Sequence, residues 1–204
     1  MTVSACSSDS QKKGAGVSAG HLCDASFDSH ATAAVKKISG VTSFEELAGK
    51  NKYGEPNRFS LTRAHKHLGT SLSPRTQCTV YKVSDESGYP FLQIDFKKLT
   101  YTPKREVQEK QSGLQKDVFY PIGTRAWTGK EYATSLYFPC KAVEGKGAKP
   151  FVHVAMYSAT NQMTSTSTSK ERMTILNSVS REFAKELGCL DEARLPARLP
   201  APSK

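Results

Sequence analysis

Four widely spaced cysteines constrain the fold of this chain more than any other feature. Cys23, Cys78, Cys140 and Cys189 lie tens of residues apart, and none belongs to a CxxC pair. This spacing argues against zinc ribbons and thioredoxin-type redox sites, which need two thiols close in sequence. An even set of distant cysteines is typical of exported proteins, in which they form disulfides. The sequence therefore predicts two disulfides and an oxidising compartment.

Three helices are predicted from apolar periodicity and capping residues. The first begins at Asp28 or Ser29 and ends at Gly40, because a short polar side chain caps the start and glycine permits the stop. A second, short helix is predicted over 43–47, where a serine and a glutamate three residues later have the capping-box spacing. The third and clearest helix spans 168–187, again with a capping-box start, and its apolar residues line one face.

Two hairpins are predicted from alternating and β-branched residues. The first pairs residues 77–83 with 89–96, and the second pairs 133–143 with 151–157. We therefore expect an α+β fold, an antiparallel sheet built from two hairpin-containing halves with helices packed on one face. Residues 102–116 are polar and remain unassigned.

The composition along the chain divides it into three parts. Residues 1–20 are rich in Ser, Lys and Gly and are predicted to be a flexible tether. Residues 21–189 form a single domain with two pseudo-related halves, about 21–117 and 118–189. Residues 190–204 form a Pro/Arg-rich tail that we expect to be loosely ordered.

The order of elements favours one disulfide pairing over another. Each half has one cysteine near a helix end and one in the first strand of its hairpin. Pairing within each half gives Cys23–Cys78 and Cys140–Cys189, and each bond staples a helix end to a strand. The alternative, Cys23–Cys189 with Cys78–Cys140, would tie the two halves together instead.

The fifth cysteine has a different setting. Val3-Ser4-Ala5-Cys6 is followed by a polar stretch and resembles the lipobox of bacterial lipoproteins. In that family a signal peptide is cut directly before the cysteine, which then carries a lipid such as palmitate. The resemblance implies lipidation at Cys6 and attachment to the outer face of the cell membrane.

A looser resemblance covers most of the chain. The segments "LCDASFDSHATAAV", "TQCTVYKV" and "PIGTRAW", followed by a terminal amphipathic helix, resemble small secreted actinobacterial lipoproteins of unassigned function. Tyr81 stands near the position where that family often has tryptophan. The resemblance implies an extracytoplasmic α+β domain, and it supplies no catalytic or binding residues.

The sequence contains only weak signals for a catalytic site or a metal site. His65 and His67 would share one face if they lay on a strand, but no third metal ligand is evident nearby. Residues 123–130 resemble a phosphate loop only superficially and are better interpreted as a turn, with the tryptophan packing on a core edge. His153 and Asp95 are predicted to point away from the apolar face of their strands, His153 as a surface or satisfied residue and Asp95 as a solvated one. We predict no cofactor, no metal and no catalytic residues.

The net charge of +10 favours an anionic partner. The best cluster of basic residues, interleaved with aromatic ones, is a candidate anionic-ligand patch formed by Lys97, Lys98, Lys104, Arg105, Arg125 and Lys130. The sequence thus predicts a non-enzymatic cell-envelope lipoprotein that binds or senses an anionic wall polymer, lipid head groups or an acidic protein. The alternatives are an envelope hydrolase or wall-modifying enzyme, and a basic nucleic-acid-binding module, although export makes nucleic acid an unexpected target.

Overall fold

One antiparallel sheet organises the protein. A computed structural model describes residues 16–69, 75–83, 85–99, 101, 117–129, 133–143 and 150–203. Within these ranges seven strands pair in the order β1-β2-β3-β7-β6-β5-β4, and every pairing is antiparallel. The strands are β1 (Phe44–Glu46), β2 (Gln77–Lys82), β3 (Leu92–Leu99), β4 (Val118–Tyr120), β5 (Arg125–Thr128), β6 (Thr134–Pro139) and β7 (Phe151–Tyr157).

Both predicted hairpins are present, and they belong to one sheet. β2 pairs with β3, and β6 pairs with β7. The two halves join where β3 pairs with β7 along a ladder that runs from Gln93 opposite Tyr157 to Leu99 opposite Phe151. The expectation of an α+β fold with an antiparallel sheet is confirmed.

In the described part of the chain, four α-helices accompany the strands: α1 (Ser29–Ser39), α2 (Leu61–His67), α3 (Ser169–Glu186) and α4 (Leu190–Ala193). α1 packs along α3, and Phe183 of α3 contacts Phe96 of β3 with ring centroids 4.4 Å apart. Apolar side chains of β3, β6 and β7 lie in the same buried cluster as the apolar faces of α1 and α3. Burying each such large side chain contributes roughly 1.5–3 kcal/mol, so this helix-covered side of the sheet holds the core. No helix among the described residues is long and apolar enough to cross a bilayer.

The predicted helix ends agree with the structure in most respects. The Asp28 carboxylate accepts a hydrogen bond from the Ala31 amide at 2.8 Å, and Gly40 ends α1 in the left-handed region with φ 72°. At α3 the N-cap is Thr168, as predicted, but its hydroxyl bonds the Glu171 carboxylate and does not cap a backbone amide.

Both disulfides connect the predicted partners. Cys23 is bonded to Cys78 and Cys140 to Cys189, with Cα–Cα distances of 5.6 and 5.3 Å. All four cysteines are buried. Cross-links over sequence separations of 55 and 49 residues each stabilise a fold by about 4 kcal/mol in the loop-entropy account. Cys6 lies outside the described residues.

The short helix predicted over 43–47 is wrong, because this segment contains strand β1. Phe44 exchanges backbone hydrogen bonds with Val17 and pairs with Lys82. A five-residue helix would form very few backbone bonds against the cost of nucleation. Glu46 does not close a capping box, and its carboxylate accepts the Cys23 amide at 2.5 Å.

The loosely ordered tail predicted from Leu190 is also wrong. Residues 190–193 form α4, and Leu195 is buried. The carbonyls of Leu195 and Pro196 accept hydrogen bonds from Arg181 and Asn177 of α3. An apolar anchor and backbone acceptors fix this segment, and composition alone did not reveal them.

Chain segments near both ends of the described range cover the sheet edges. Val17 pairs with Phe44 on the open side of β1, and the Ser203 amide donates to the Phe119 carbonyl of β4 at 2.9 Å. Ala19 is fully buried, so the folded domain begins before residue 21 and the predicted tether is too long at its C-terminal end. Covered edges resist pairing with strands from other chains.

Candidate functional site

The side of the sheet opposite α1 and α3 is here called the outer face. It brings together residues that the sequence placed in separate strands and turns. Lys97 pairs with His153, His153 with Tyr137, and Tyr137 with Arg125. These four residues form one straight row across β3, β7, β6 and β5. With neighbouring strands about 4.8 Å apart, the row is about 14 Å wide. A cation stands at each end, with an imidazole and a phenol between them.

The aromatic rings in this row stand upright on the sheet. The Tyr137 and His153 rings are parallel within 6° with centroids 4.1 Å apart, which is close to the strand spacing. Trp127 stacks on the other side of Tyr137 at 5.4 Å, and the Arg125 guanidinium lies 4.4 Å from the Trp127 ring centroid. The ring faces therefore contact one another, and the ring edges point outward.

One glycine positions the strand that carries Arg125 and Trp127. Gly123 has φ 59°, and a Cβ atom there would lie 2.3 Å from the Tyr137 carbonyl oxygen. The Thr124 amide donates to that same carbonyl at 2.7 Å. Only glycine permits this close approach without displacing the backbone. The turn predicted over 123–130 is thus present only at the first residues of that range, and strand β5 follows.

His153 is neutral near neutral pH. Burial, and then the Lys97 charge, lower its pKa from 6.5 to about 4. Its Nε2 atom lies 3.4 Å from the Ser135 hydroxyl. The imidazole therefore offers one hydrogen-bond donor and one acceptor in place of a positive charge.

The next row on the outer face is chemically mixed. Gln77 pairs with Asp95, Asp95 with Ala155, Ala155 with Ser135, and Ser135 with Trp127. Two small side chains, Ala155 and Ser135, form its floor. Larger residues stand on either side, Asp95 on β3 and Trp127 on β5.

Asp95 is half-buried, so the expectation that it is solvated is wrong. Burial raises the pKa of its carboxyl group, while the Gln77 amide donates to Oδ1 at 2.7 Å and Lys97 lowers the pKa in part. Lys97 and Asp95 are two residues apart on one face of β3, about 7 Å along the strand. The outer face thus presents a carboxylate next to a cation.

The predicted anionic-ligand patch is divided by strand alternation. Lys97 and Arg125 lie on the outer face. Lys98 pairs with the buried Val152 and so points to the opposite side of β3. Lys104, Arg105 and Lys130 lie outside the described residues.

The two histidines considered for metal binding lie on a helix and point to different partners. His65 and His67 belong to α2, where positions two apart face different directions. The His65 ring contacts Glu186 and the His67 ring contacts Glu55, each at 3.6 Å. These contacts tie α2 to α3 and to the 49–58 loop.

Two other clusters within the described ranges have metal-ligand geometry, and both are built on disulfides. Glu46 lies beside Cys23 and Cys78, and Glu192 lies beside Cys140 and Cys189. The sulfur ligand of a metal is a thiolate, which a disulfide sulfur is not. Each carboxylate instead accepts a backbone amide at 2.5 Å, Glu46 from Cys23 and Glu192 from Lys141.

Sequence reasoning missed the residues that unite the outer face. Trp127 was expected on a core edge, but it lies in the outer-face aromatic stack. Tyr137, Ser135 and Ala155 were assigned to strands without a role. The alternation within β6 was the available signal, but only the register places Tyr137 between His153 and Arg125.

No protein-family model matches the chain, and comparisons with curated proteins and with solved structures find no significant match.

Proposed function

We propose that this protein is an extracytoplasmic lipoprotein, tethered through a lipid on Cys6, that binds an anionic component of the cell envelope on the outer face of its sheet. The observation that carries the binding proposal is the Lys97–His153–Tyr137–Arg125 row. Its two cations lie on the side of the sheet opposite the buried cluster that the strands share with α1 and α3.

Three features support this function. The two buried disulfides fit an oxidising compartment. The net charge of +10 attracts polyanions. The self-stacked rings disfavour the nucleic-acid alternative, because base stacking needs an unoccupied ring face.

Attachment is tested by following the fate of Cys6 in a bacterial host. Labelled palmitate should be incorporated into the wild-type protein and not into Cys6→Ser, and globomycin should block processing. A soluble, unlabelled wild-type product with an intact N-terminus would refute the lipid anchor.

Binding is tested by retention on immobilised wall polyanions at increasing salt. Lys97→Gln should elute at lower salt than the wild-type protein, since removing one of a few contacting charges weakens a polyanion complex. Lys36→Gln is the matched control, because Lys36 is exposed on α1, on the helix-covered side. Equal elution of both variants and the wild-type protein would count against the outer face.

One contact favours the hydrolase alternative. The Ser135 hydroxyl and the His153 imidazole, 3.4 Å apart, have the residue types of a nucleophile and its base. A pKa of about 4 for His153 makes it a weak base at neutral pH, where a base with a pKa near 7 is most effective. Covalent labelling of Ser135 by a fluorophosphonate probe, lost in Ser135→Ala, would support this alternative over simple binding.

A further inference from the structure

A carboxylate beside the cationic row restricts the class of ligand that this face can bind. A surface built only to hold a dense polyanion would exclude acidic groups, because like charges in contact cost binding energy. Here Asp95 lies on the same face as Lys97, two residues away on β3. Gln77 holds one carboxylate oxygen at 2.7 Å, which fixes the orientation of the other.

The groups around Asp95 are suited to hydroxyl recognition. The Asp95 carboxylate accepts hydrogen bonds, and the Ser135 hydroxyl, which contacts Nε2 of the neutral His153 ring at 3.4 Å, can both donate and accept. These groups lie around Ala155, whose small side chain adds little bulk to the outer face. Trp127 lies at the side of this floor, next to Ser135, with its ring stacked on Tyr137.

From this arrangement we propose that the ligand is an acidic sugar chain in which charged and neutral units alternate. An acidic group binds at the row that begins with Lys97, and the hydroxyls of the neighbouring neutral unit lie over Ala155 and Ser135, where Asp95 accepts from them. This ligand class rests on the proposed function. The positive charge of Arg125 contributes to the row while its guanidinium stays over Trp127.

The spacing of the basic residues along the row also favours an acidic sugar chain. The backbone positions of Lys97 and Arg125 are about 14 Å apart across four strands, whereas each strand of a nucleic acid carries a charge about every 3.4 Å. A polymer that places uncharged, hydroxyl-rich units between its acidic groups fits the neutral middle of the row, formed by His153 and Tyr137. A continuous polyphosphate would place charges against Asp95.

The test uses the fluorescence of Trp127, the only tryptophan of the chain. Wild-type protein is titrated with a hyaluronan hexasaccharide, which alternates uronate and neutral amino sugar, with sodium polyphosphate and with neutral cellohexaose. We expect the hexasaccharide to bind most tightly and cellohexaose at least tenfold more weakly. Lys97→Gln should weaken binding of both anionic probes at least fivefold, and Lys36→Gln should change neither.

Asp95→Asn is the deciding variant. Its side-chain oxygen still accepts from Gln77, so the strand pairing is retained. It should weaken hexasaccharide binding at least threefold and tighten polyphosphate binding, because a ligand acceptor and a negative charge are removed together.

The outcomes are distinct. If Asp95→Asn tightens or does not change hexasaccharide binding, or if the wild-type protein prefers polyphosphate or binds cellohexaose equally well, the acidic-sugar inference is overturned and the general anion-binding proposal survives. If neither anionic probe binds, the anion-binding part of the proposed function fails with it, and the lipid anchor is decided by its own test.

Discussion

The pKa of His153 makes the stability of the fold depend on pH in a direction that can be measured. Its value of about 4 in the folded protein lies below the value of about 6.5 for an exposed histidine. Between these two values the unfolded chain binds more protons than the folded one, so the free energy of unfolding rises as the pH rises. The stabilisation is fully present above about pH 6.5 and is lost as the pH falls toward 4.

The magnitude follows from the size of the shift. Each unit corresponds to 1.36 kcal/mol, so a difference of about 2.5 units gives about 3 kcal/mol of stability lost between pH 7 and pH 4. By pH 5 about 2 kcal/mol of this should already be lost. For a domain of ordinary stability this is a substantial fraction of the free energy of unfolding.

His153→Phe isolates this contribution, because phenylalanine preserves a ring next to Tyr137 but does not titrate. Urea unfolding of both proteins, followed by Trp127 fluorescence at pH 7, 6, 5 and 4.5 and constant ionic strength, gives the difference in unfolding free energy at each pH. Asp95 and Glu46, whose carboxyl pKa values are raised by burial, act in the opposite direction in both proteins, so their effect largely cancels. A difference that stays constant across this pH range would refute the assignment of a neutral, buried imidazole.

Three further predictions concern stability. Replacing Cys140 and Cys189 together by alanine should lower the free energy of unfolding by about 4 kcal/mol, measured by urea unfolding, and an unchanged midpoint would contradict the cross-link. Glu46→Ala should cost about 1–3 kcal/mol because it leaves the buried Cys23 amide without its acceptor, whereas Glu46→Gln should retain most of the stability; equal losses in thermal melts would refute this role. A chain ending at Arg194 loses the buried side chain of the next residue and should be less stable by about 2 kcal/mol or more; calorimetry showing no loss would indicate that the C-terminal segment contributes no packing.

Local chemistry made several parts of the fold predictable. Asp28 and Gly40 bound a helix because capping and left-handed backbone depend on single residues. The hairpins followed from alternation along each strand. The disulfide pairing followed from placing each cysteine near a helix end or in a strand, which is local information repeated in two halves.

Other parts depended on neighbours distant in sequence. The 43–47 segment has a helical pattern, but Val17 on one side and β2 on the other supply strand partners. The C-terminal segment is Pro/Arg-rich, yet side chains of α3 hold its carbonyls. Asp95 alternates outward as expected, and its burial depends on what surrounds the outer face.

The candidate site likewise depends partly on local sequence and partly on contacts between distant segments. The sequence by itself determined which faces of β3, β6 and β7 are apolar, since a period of two decides the side on which each residue lies, whereas β5 was interpreted as a turn. Which strands are neighbours, and in what register, depends on pairing across the whole chain, because backbone hydrogen bonds carry no residue identity. That pairing placed Lys97, His153, Tyr137 and Arg125 in one row. The tertiary structure also joins the four cysteines, which the sequence already indicated as disulfide-forming, into two cross-links. These cross-links hold α1 and α3 on the opposite side of the same sheet.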